Sequence, residues 1–260
     1  MQGAANARVM VAVRESHQYG DFKVHENVHF DVHENEFLCV CGPSGCGKTT
    51  LLEIMSGLQR PTSGEVLIRG EPANPKRHNI SLVFQEPSTM PWLTVKENVE
   101  VGLKVKKKPR EQVRRVVDDI LSVVGLQDFR DYYPHQISGG MKQRVAIARA
   151  FATDADLILM DEPFVSLDQP TRERMQKEVL DIWELRKRTV VFVTHNLEEA
   201  IFLGDRVIIL SANPASLELD LDIALPRPRD QLQPEFMALR ARCAGLLSEL
   251  SAAAIRESAS

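Results

Sequence analysis

GPSGCGKTT, residues 42–50, follows the apolar run FLCVC (37–41) and leads into LLEIMSGL (51–58). The first run is short and wholly apolar, as a buried strand is. After the loop, Leu51, Leu52, Met55 and Leu58 recur at helical spacing. Strand, glycine loop and helix form the setting that a phosphate-binding loop requires. Gly42, Gly45 and Gly47 let the backbone come close to an anion and take up positive φ. Backbone N–H groups turned inward make a nest for the anion, and the helix N-terminus adds partial positive charge at the same place. Lys48 supplies a full charge for the β- and γ-phosphates, and the Thr49 hydroxyl is placed to ligate Mg2+. The stretch predicts nucleoside triphosphate binding without saying what the nucleotide drives.

Two further apolar runs end in polar groups suited to the same site. Asp156-Leu157-Ile158-Leu159-Met160 is followed by Asp161 and Glu162. In a parallel sheet, ligands sit beyond the carboxyl ends of the strands, so Asp161 is expected in the Mg2+ shell. Glu162 is the candidate to polarise the attacking water, the alternative being a solvated loop acid. Thr189-Val190-Val191-Phe192-Val193 is β-branched and short, and Thr194-His195 follow it. His195 is expected at the carboxyl tip, within reach of a γ-phosphate; a structural histidine is the alternative. Asn196 with Glu199 has the spacing of a helix N-cap and capping box.

Composition narrows the class. The chain has 260 residues, 43% hydrophobic and 26% charged, enough for one sizeable domain or one carrying an inserted subdomain. A formal net charge of −4 gives no global footprint for nucleic acid. No apolar stretch approaches the length of a membrane span, and the N-terminal MQGAANARVM lacks the layout of a secretory signal. Cys39, Cys41, Cys46 and Cys243 are expected as reduced thiols of a cytosolic protein. Lys104, Lys106, Lys107, Lys108 and Arg110 make a basic run, expected to be a solvated surface segment.

A third segment decides the family. In Ile137-Ser138-Gly139-Gly140-Met141-Lys142-Gln143-Arg144, a helix opened by Ser-Gly-Gly again offers a hydroxyl and free N–H groups to an anion. Together these segments resemble the ATP-binding subunits of ABC transporters, over roughly residues 8–225. Gly42, Pro43, Ser44, Gly45, Cys46, Gly47, Lys48, Thr49 and Thr50 resemble the Walker A loop. Gln85 resembles the Q-loop glutamine, which implies a place among the metal and catalytic groups with Thr49 and Asp161. Ser138, Gly139 and Gly140 resemble the family signature, Asp161 and Glu162 the Walker B acids, and Ser166-Leu167-Asp168 the D-loop. His195 resembles the switch histidine, and Tyr19 falls where the family stacks an aromatic on adenine.

The resemblance implies an α/β fold: a P-loop NTPase (RecA-like) core with an antiparallel β subdomain and an inserted helical subdomain. It implies an ATPase using ATP and Mg2+, peripheral on the cytoplasmic face of the cell membrane. ATP would lie between the Walker A side of one subunit and Ser138, Gly139 and Gly140 of a second, in a head-to-tail pair expected to be a homodimer. The implied partners are integral membrane permease subunits and, indirectly, a solute-binding protein, with no nucleic acid. VFQEPSTMPWLTVKENV, GDRVIIL and PRPRD resemble the nitrate, sulfonate and taurine importers. Alternatives are an exporter subunit, a non-transport ABC ATPase and a P-loop kinase; the last is opposed by the signature segment and His195.

Four segments are expected along the chain: 1–85 with antiparallel strands and the phosphate loop, 86–150 helical with the signature, 151–225 parallel core, and 226–260 a helical tail. Asn35 stands where the family has a turn glycine and is expected to tolerate a left-handed backbone. Val113, Val116, Val117, Ile120, Leu121 and Val124 make one helix stripe; Phe236, Leu239, Cys243, Leu246, Leu247 and Leu250 make another. Asp168 and Pro170 open a helix expected to run to Arg188. Met90, Trp92 and Leu93 are unfavourable to leave in water and mark a partner site, unless Trp92 is core of the helical segment.

Overall fold

The computed structural model of the chain describes residues 8–212 and 214–258, with side chains to 252. The N-terminal segment 1–7 and residues 259–260 of the expected tail lie outside the described residues. The strands are β1 (Val9–Tyr19), β2 (Phe22–His33), β3 (Phe37–Cys41), β4 (Ser63–Ile68), β5 (Glu71–Pro72), β6 (Ile80–Val83), β7 (Leu157–Asp161), β8 (Thr189–Val193), β9 (Arg206–Leu210) and β10 (Leu217–Asp222). The helices are α1 (Lys48–Ser56), α2 (Val95–Val105), α3 (Arg110–Val123), α4 (Gly139–Ala152), α5 (Gln169–Arg186), α6 (Leu197–Leu203) and α7 (Pro234–Ser258).

The chain forms two compact units, one from the residues up to His78 with those from Thr189 on, the other Asn79–Arg188. These cuts differ from the four sequence segments because β6 and β7 pair with each other, in parallel, and so belong to the same unit as the helices between them.

The first unit holds an antiparallel sheet in the order β2-β1-β4-β5. Along β1, Val11, Val13, Glu15 and His17 point inward at every second position. Two carboxylate- and imidazole-bearing residues thus share an apolar face. The second sheet of this unit runs β10-β9-β3-β8, with β3 parallel to both neighbours and β10 antiparallel on the edge. Every residue of β3, β8 and β9 is buried, the pattern of strands covered on both faces. Asn35 takes φ 62, and its N–H donates to the Thr189 hydroxyl at 2.9 Å, so the turn into β3 survives without glycine. Arg206 at the start of β9 bridges Glu36 at 2.8 Å and Asp220 at 2.5 Å, which ties β9 to β10 and to the head of β3.

Helix α1 is shorter than its sequence pattern. Gly57 turns left-handed at φ 75 and its N–H closes on the last turn, so Leu58 leaves the helix and stands 60% exposed. In α7, Phe236 and Cys243 are buried while Leu239, Leu246, Leu247 and Leu250 are half-buried, and the helix packs on α6.

In the second unit, α4 packs against α2, α3, α5 and β6. The α3 stripe is buried as its spacing requires; each such side chain contributes on the order of 1.5–3 kcal/mol. Helix α2 opens on a reciprocal capping box between Thr94 and Glu97. The basic run lies at the surface as expected, with Lys104, Lys106, Lys107 and Arg110 exposed; Lys104 also pairs with Glu100, Lys106 donates to the Thr153 carbonyl, and Lys108 lies 3.8 Å from Asp154. Helix α5 stops at Arg186, two residues before the expected end, because Lys187 turns left-handed at φ 43.

Candidate functional site

The carboxyl ends of β3 and β8 lie side by side in the first unit, with Val40 paired to Val193. The loop 42–50 leaves one and Thr194-His195 leaves the other, so the chain order of the sequence becomes a shared sheet edge. The Thr194 N–H donates back to the Val40 carbonyl at 3.1 Å, which fixes the backbone next to His195. His195 itself is exposed. Asn196 accepts hydrogen bonds from the N–H groups of Glu198 and Glu199, and Glu199 in turn accepts from the Thr194 hydroxyl at 2.5 Å.

Within the loop, Gly47 caps α1 at φ 91. A Cβ there would lie 2.4 Å from Val24 Cγ1 and 2.6 Å from His25 Nε2, so no other residue fits without a shift of β2. A Cβ on Gly42 would meet Cys46 Sγ at 2.7 Å. Lys48 is 6% exposed, and its ammonium donates to the carbonyls of Gly42 and Pro43, each at 3.0 Å. Ser44, Gly45 and Thr49 are exposed at the loop's outer side, with Thr50 half-buried beside them. All four cysteines are buried and none forms a disulfide; burial pushes the Cys41 thiol well up, and Cys39 likewise, which keeps both protonated.

Tyr19 ends β1 half-exposed, with its hydroxyl donating to Gln59 Oε1 at 2.9 Å. The His17 ring meets it edge-on with centroids 4.8 Å apart, and Gln59 Nε2 lies 2.6 Å from His17 Nε2. Sequence reading found Tyr19 but not these two supports. His17 carries a signal, the i, i+2 spacing on one strand, whereas Gln59 lies beyond the end of α1 and carries none.

The second unit gathers the remaining candidates. Val83 pairs with Met160, so the ends of β6 and β7 are adjacent; Gln85 follows the first and Asp161-Glu162 the second. Gln85 is exposed, and Asp161 and Glu162 are half-buried. Glu162 holds φ 42, a left-handed backbone that costs a non-glycine residue on the order of 1–3 kcal/mol. Gln143 Nε2 donates to the Phe84 carbonyl at 3.3 Å, so α4 holds the chain just before Gln85.

Ser138 caps α4 by accepting from the Met141 N–H at 3.3 Å, and leaves Gly139 open on the surface. Asp168 caps α5 by accepting from the Thr171 N–H and hydroxyl at 3.1 and 2.8 Å. A Cβ on Gly140 would sit 3.5 Å from Leu167 Cδ2, so the start of α4 and the 166–168 loop are neighbours. Ser166 and Asp168 are exposed around buried Leu167. Trp92 is 72% exposed, which rules it out as core of the helical segment.

No helix among the described residues is long and apolar enough to cross a membrane. Among them no cluster of three or more His, Cys, Asp or Glu side chains is placed to hold a metal.

Comparison with known proteins bears on the same residues. Residues 25–165 match the ABC transporter family. An uncharacterized ABC transporter ATP-binding protein of Methanocaldococcus jannaschii is 46% identical over 227 residues, 87% of this chain and 85% of that protein. The aliphatic sulfonates import ATP-binding protein SsuB of Bacillus cereus is 43% identical over 225 residues, 86% of this chain and 88% of that protein. Among solved structures, a dimeric ATP-binding cassette in a post-hydrolysis state with ADP and Pi superposes with a TM-score of 0.71 at 34% identity, covering 84% of this chain and all of that one. The family match and the relatives each cover more than half of the chain, which belongs to the ABC transporter family as an ATP-binding, ATP-hydrolysing subunit.

Proposed function

We propose that the chain energises import of a small oxyanion or organosulfur solute, with sulfonates such as alkanesulfonates or taurine first and nitrate second. The observation that carries this is the 43% identity to the SsuB protein across 86% of the chain, a likeness that extends well past the ATP site. An exporter subunit is the second reading. The solute itself is selected by subunits other than this one.

In the proposed mechanism ATP stacks its adenine on Tyr19, and its phosphates take the place of the Gly42 and Pro43 carbonyls as partners of Lys48. An anionic oxygen is a stronger acceptor than a neutral carbonyl, so that exchange favours binding. Thr49, Asp161 and Gln85 offer only oxygen donors, a set that suits Mg2+ rather than a softer metal. The ion would neutralise phosphate charge. Glu162 accepts a proton from the water that attacks the γ-phosphorus as the bond to the bridging oxygen breaks and ADP leaves. His195 donates to the γ-phosphate.

A second copy supplies Ser138, Gly139 and Gly140 to the same nucleotide, with Ser166, Leu167 and Asp168 beside them. The known dimer bound to ADP and Pi supports this arrangement. Closure of the two copies then pulls on permease subunits held at the cytoplasmic face, in part through Trp92, Met90 and Leu93. A solute-binding protein acts on the far side of the permease.

The test is genetic. A host lacking this chain is expected to lose growth on alkanesulfonates or taurine as sole sulfur source while still growing on sulfate. Unchanged growth on those sources and on nitrate as sole nitrogen source would contradict the solute class. Purification of the Glu162→Gln chain with ATP from detergent-solubilised membranes is expected to bring a polytopic permease with it.

A further inference from the structure

We infer that the buried pair Glu15–His25 is a positioning element for the phosphate loop, holding the Gly47 carbonyl and through it the direction of the Lys48 N–H. The inference rests on the reading of residues 42–50 as the ATP phosphate site.

Both side chains are fully buried beneath the loop. His25 Nε2 lies 3.0 Å from the Gly47 carbonyl oxygen. A carbonyl cannot donate, so Nε2 carries the proton and donates. On the other side of the ring, Nδ1 faces Glu15 Oε1 at 2.8 Å, within ion-pair distance but off the line of a directed hydrogen bond. Neither Glu15 oxygen has a directed donor among the described residues.

The Gly47 carbonyl also accepts the first hydrogen bond of α1, from Leu51 N–H at 2.9 Å. Because the peptide is planar and trans, its oxygen and the following N–H point in opposite directions. Two donors on the Gly47 oxygen therefore aim the Lys48 N–H out of the helix N-terminus, where an anion is received. The missing Cβ of Gly47 is what admits the imidazole so close.

An ion pair in this place is a poor way to fill a core. The pair replaces apolar side chains on the inward face of β1 and β2, where Val11, Val13, Val28 and Phe30 are its neighbours in the pattern. Apolar replacements of buried pairs are often neutral or stabilising for the fold. A role in the loop therefore separates from a role in the core by experiment.

The full chain is compared with Glu15→Leu/His25→Leu, His25→Gln and Lys48→Ala by thermal unfolding and by calorimetric titration with ATP. The double variant is expected to unfold at the same or a higher temperature and to bind ATP about tenfold more weakly, the loss expected for one oriented hydrogen bond. His25→Gln, which keeps an amide donor near the Nε2 position, is expected within about threefold of the native chain. Native ATP affinity in the double variant overturns the inference, and so does a loss in His25→Gln as large as in the double variant. Lys48→Ala separates the two readings. If it binds ATP like the native chain, the loop reading itself fails; if it loses ATP while the double variant does not, only the positioning role fails.

Discussion

The Lys48 ammonium donates to the Gly42 carbonyl at 3.0 Å, reaching back over the loop that carries both. The lysine is buried and already oriented, so a phosphate meets a placed charge and not a flexible surface chain. Charge-assisted hydrogen bonds are worth about 1.5–3 kcal/mol each, so Lys48→Ala is expected to weaken ATP binding roughly ten- to a hundredfold. Calorimetric titration with ATP checks this, and native affinity would remove Lys48 from the site.

Tyr19 is held from two sides, by the Gln59 amide and by the edge of His17. Stacking on a base is worth about 1–3 kcal/mol, so Tyr19→Ala is expected to raise the ATP dissociation constant by at least about fivefold and to erode the preference for ATP over GTP. Gln59→Ala leaves the ring in place without its tether and is expected to have a smaller effect in the same direction. Competition between ATP and GTP measures both, and an unchanged preference in Tyr19→Ala would exclude adenine stacking.

Arg229 is buried and donates to the carbonyls of Ile201, Phe202, Gly204 and Leu225, so it closes the C-terminal end of α6. Burial draws its guanidinium down to about 10, the mark of a cation held mainly by neutral acceptors. Arg229→Ala would leave these carbonyls without a donor, and a loss of about 2–3 kcal/mol in urea unfolding is expected. A change under about 0.5 kcal/mol, the range of ordinary surface substitutions, would contradict the capping role.

Asp168 shows the pH behaviour of the 166–168 loop. The Thr171 N–H and hydroxyl hold its carboxyl below the usual value of 3.8. The folded chain therefore binds this proton less readily than the unfolded chain. The stabilisation is complete above 3.8 and fades as pH falls through the lowered value. Carbon NMR titration of the Asp168 carboxyl is expected to give a midpoint below 3.8, with native stability falling towards that of Asp168→Asn in the same window. A midpoint at or above 3.8 would mean the cap does not form in solution.

What the sequence revealed was local. The strand, glycine turn and helix at 37–56, the helix starts at Ser138, Asp168 and Asn196, and the left-handed turn at Asn35 each depend on a few neighbouring residues, and all of them appear in the structure. Leu58 misled because apolar spacing continues past Gly57, where the backbone does not. Helix α2 carries a readable signature in Thr94 and Glu97, the spacing of a capping box. Arg229 and Gln59 were out of reach because their partners lie far along the chain; Arg229 and Gly204 are 25 residues apart, Gln59 and His17 are 42. The strain at Glu162 likewise belongs to the folded backbone and has no trace in composition.

The central claim is that this chain hydrolyses ATP with Glu162 as base while two copies close on the nucleotide. The most direct measurement pairs steady-state phosphate release with sedimentation of the Glu162→Gln chain, with and without ATP and Mg2+. The account predicts hydrolysis slowed by about 10²–10⁴-fold, ATP affinity retained, and a shift from monomer to dimer that requires ATP. Normal phosphate release, or a chain that stays monomeric with ATP bound, would contradict it.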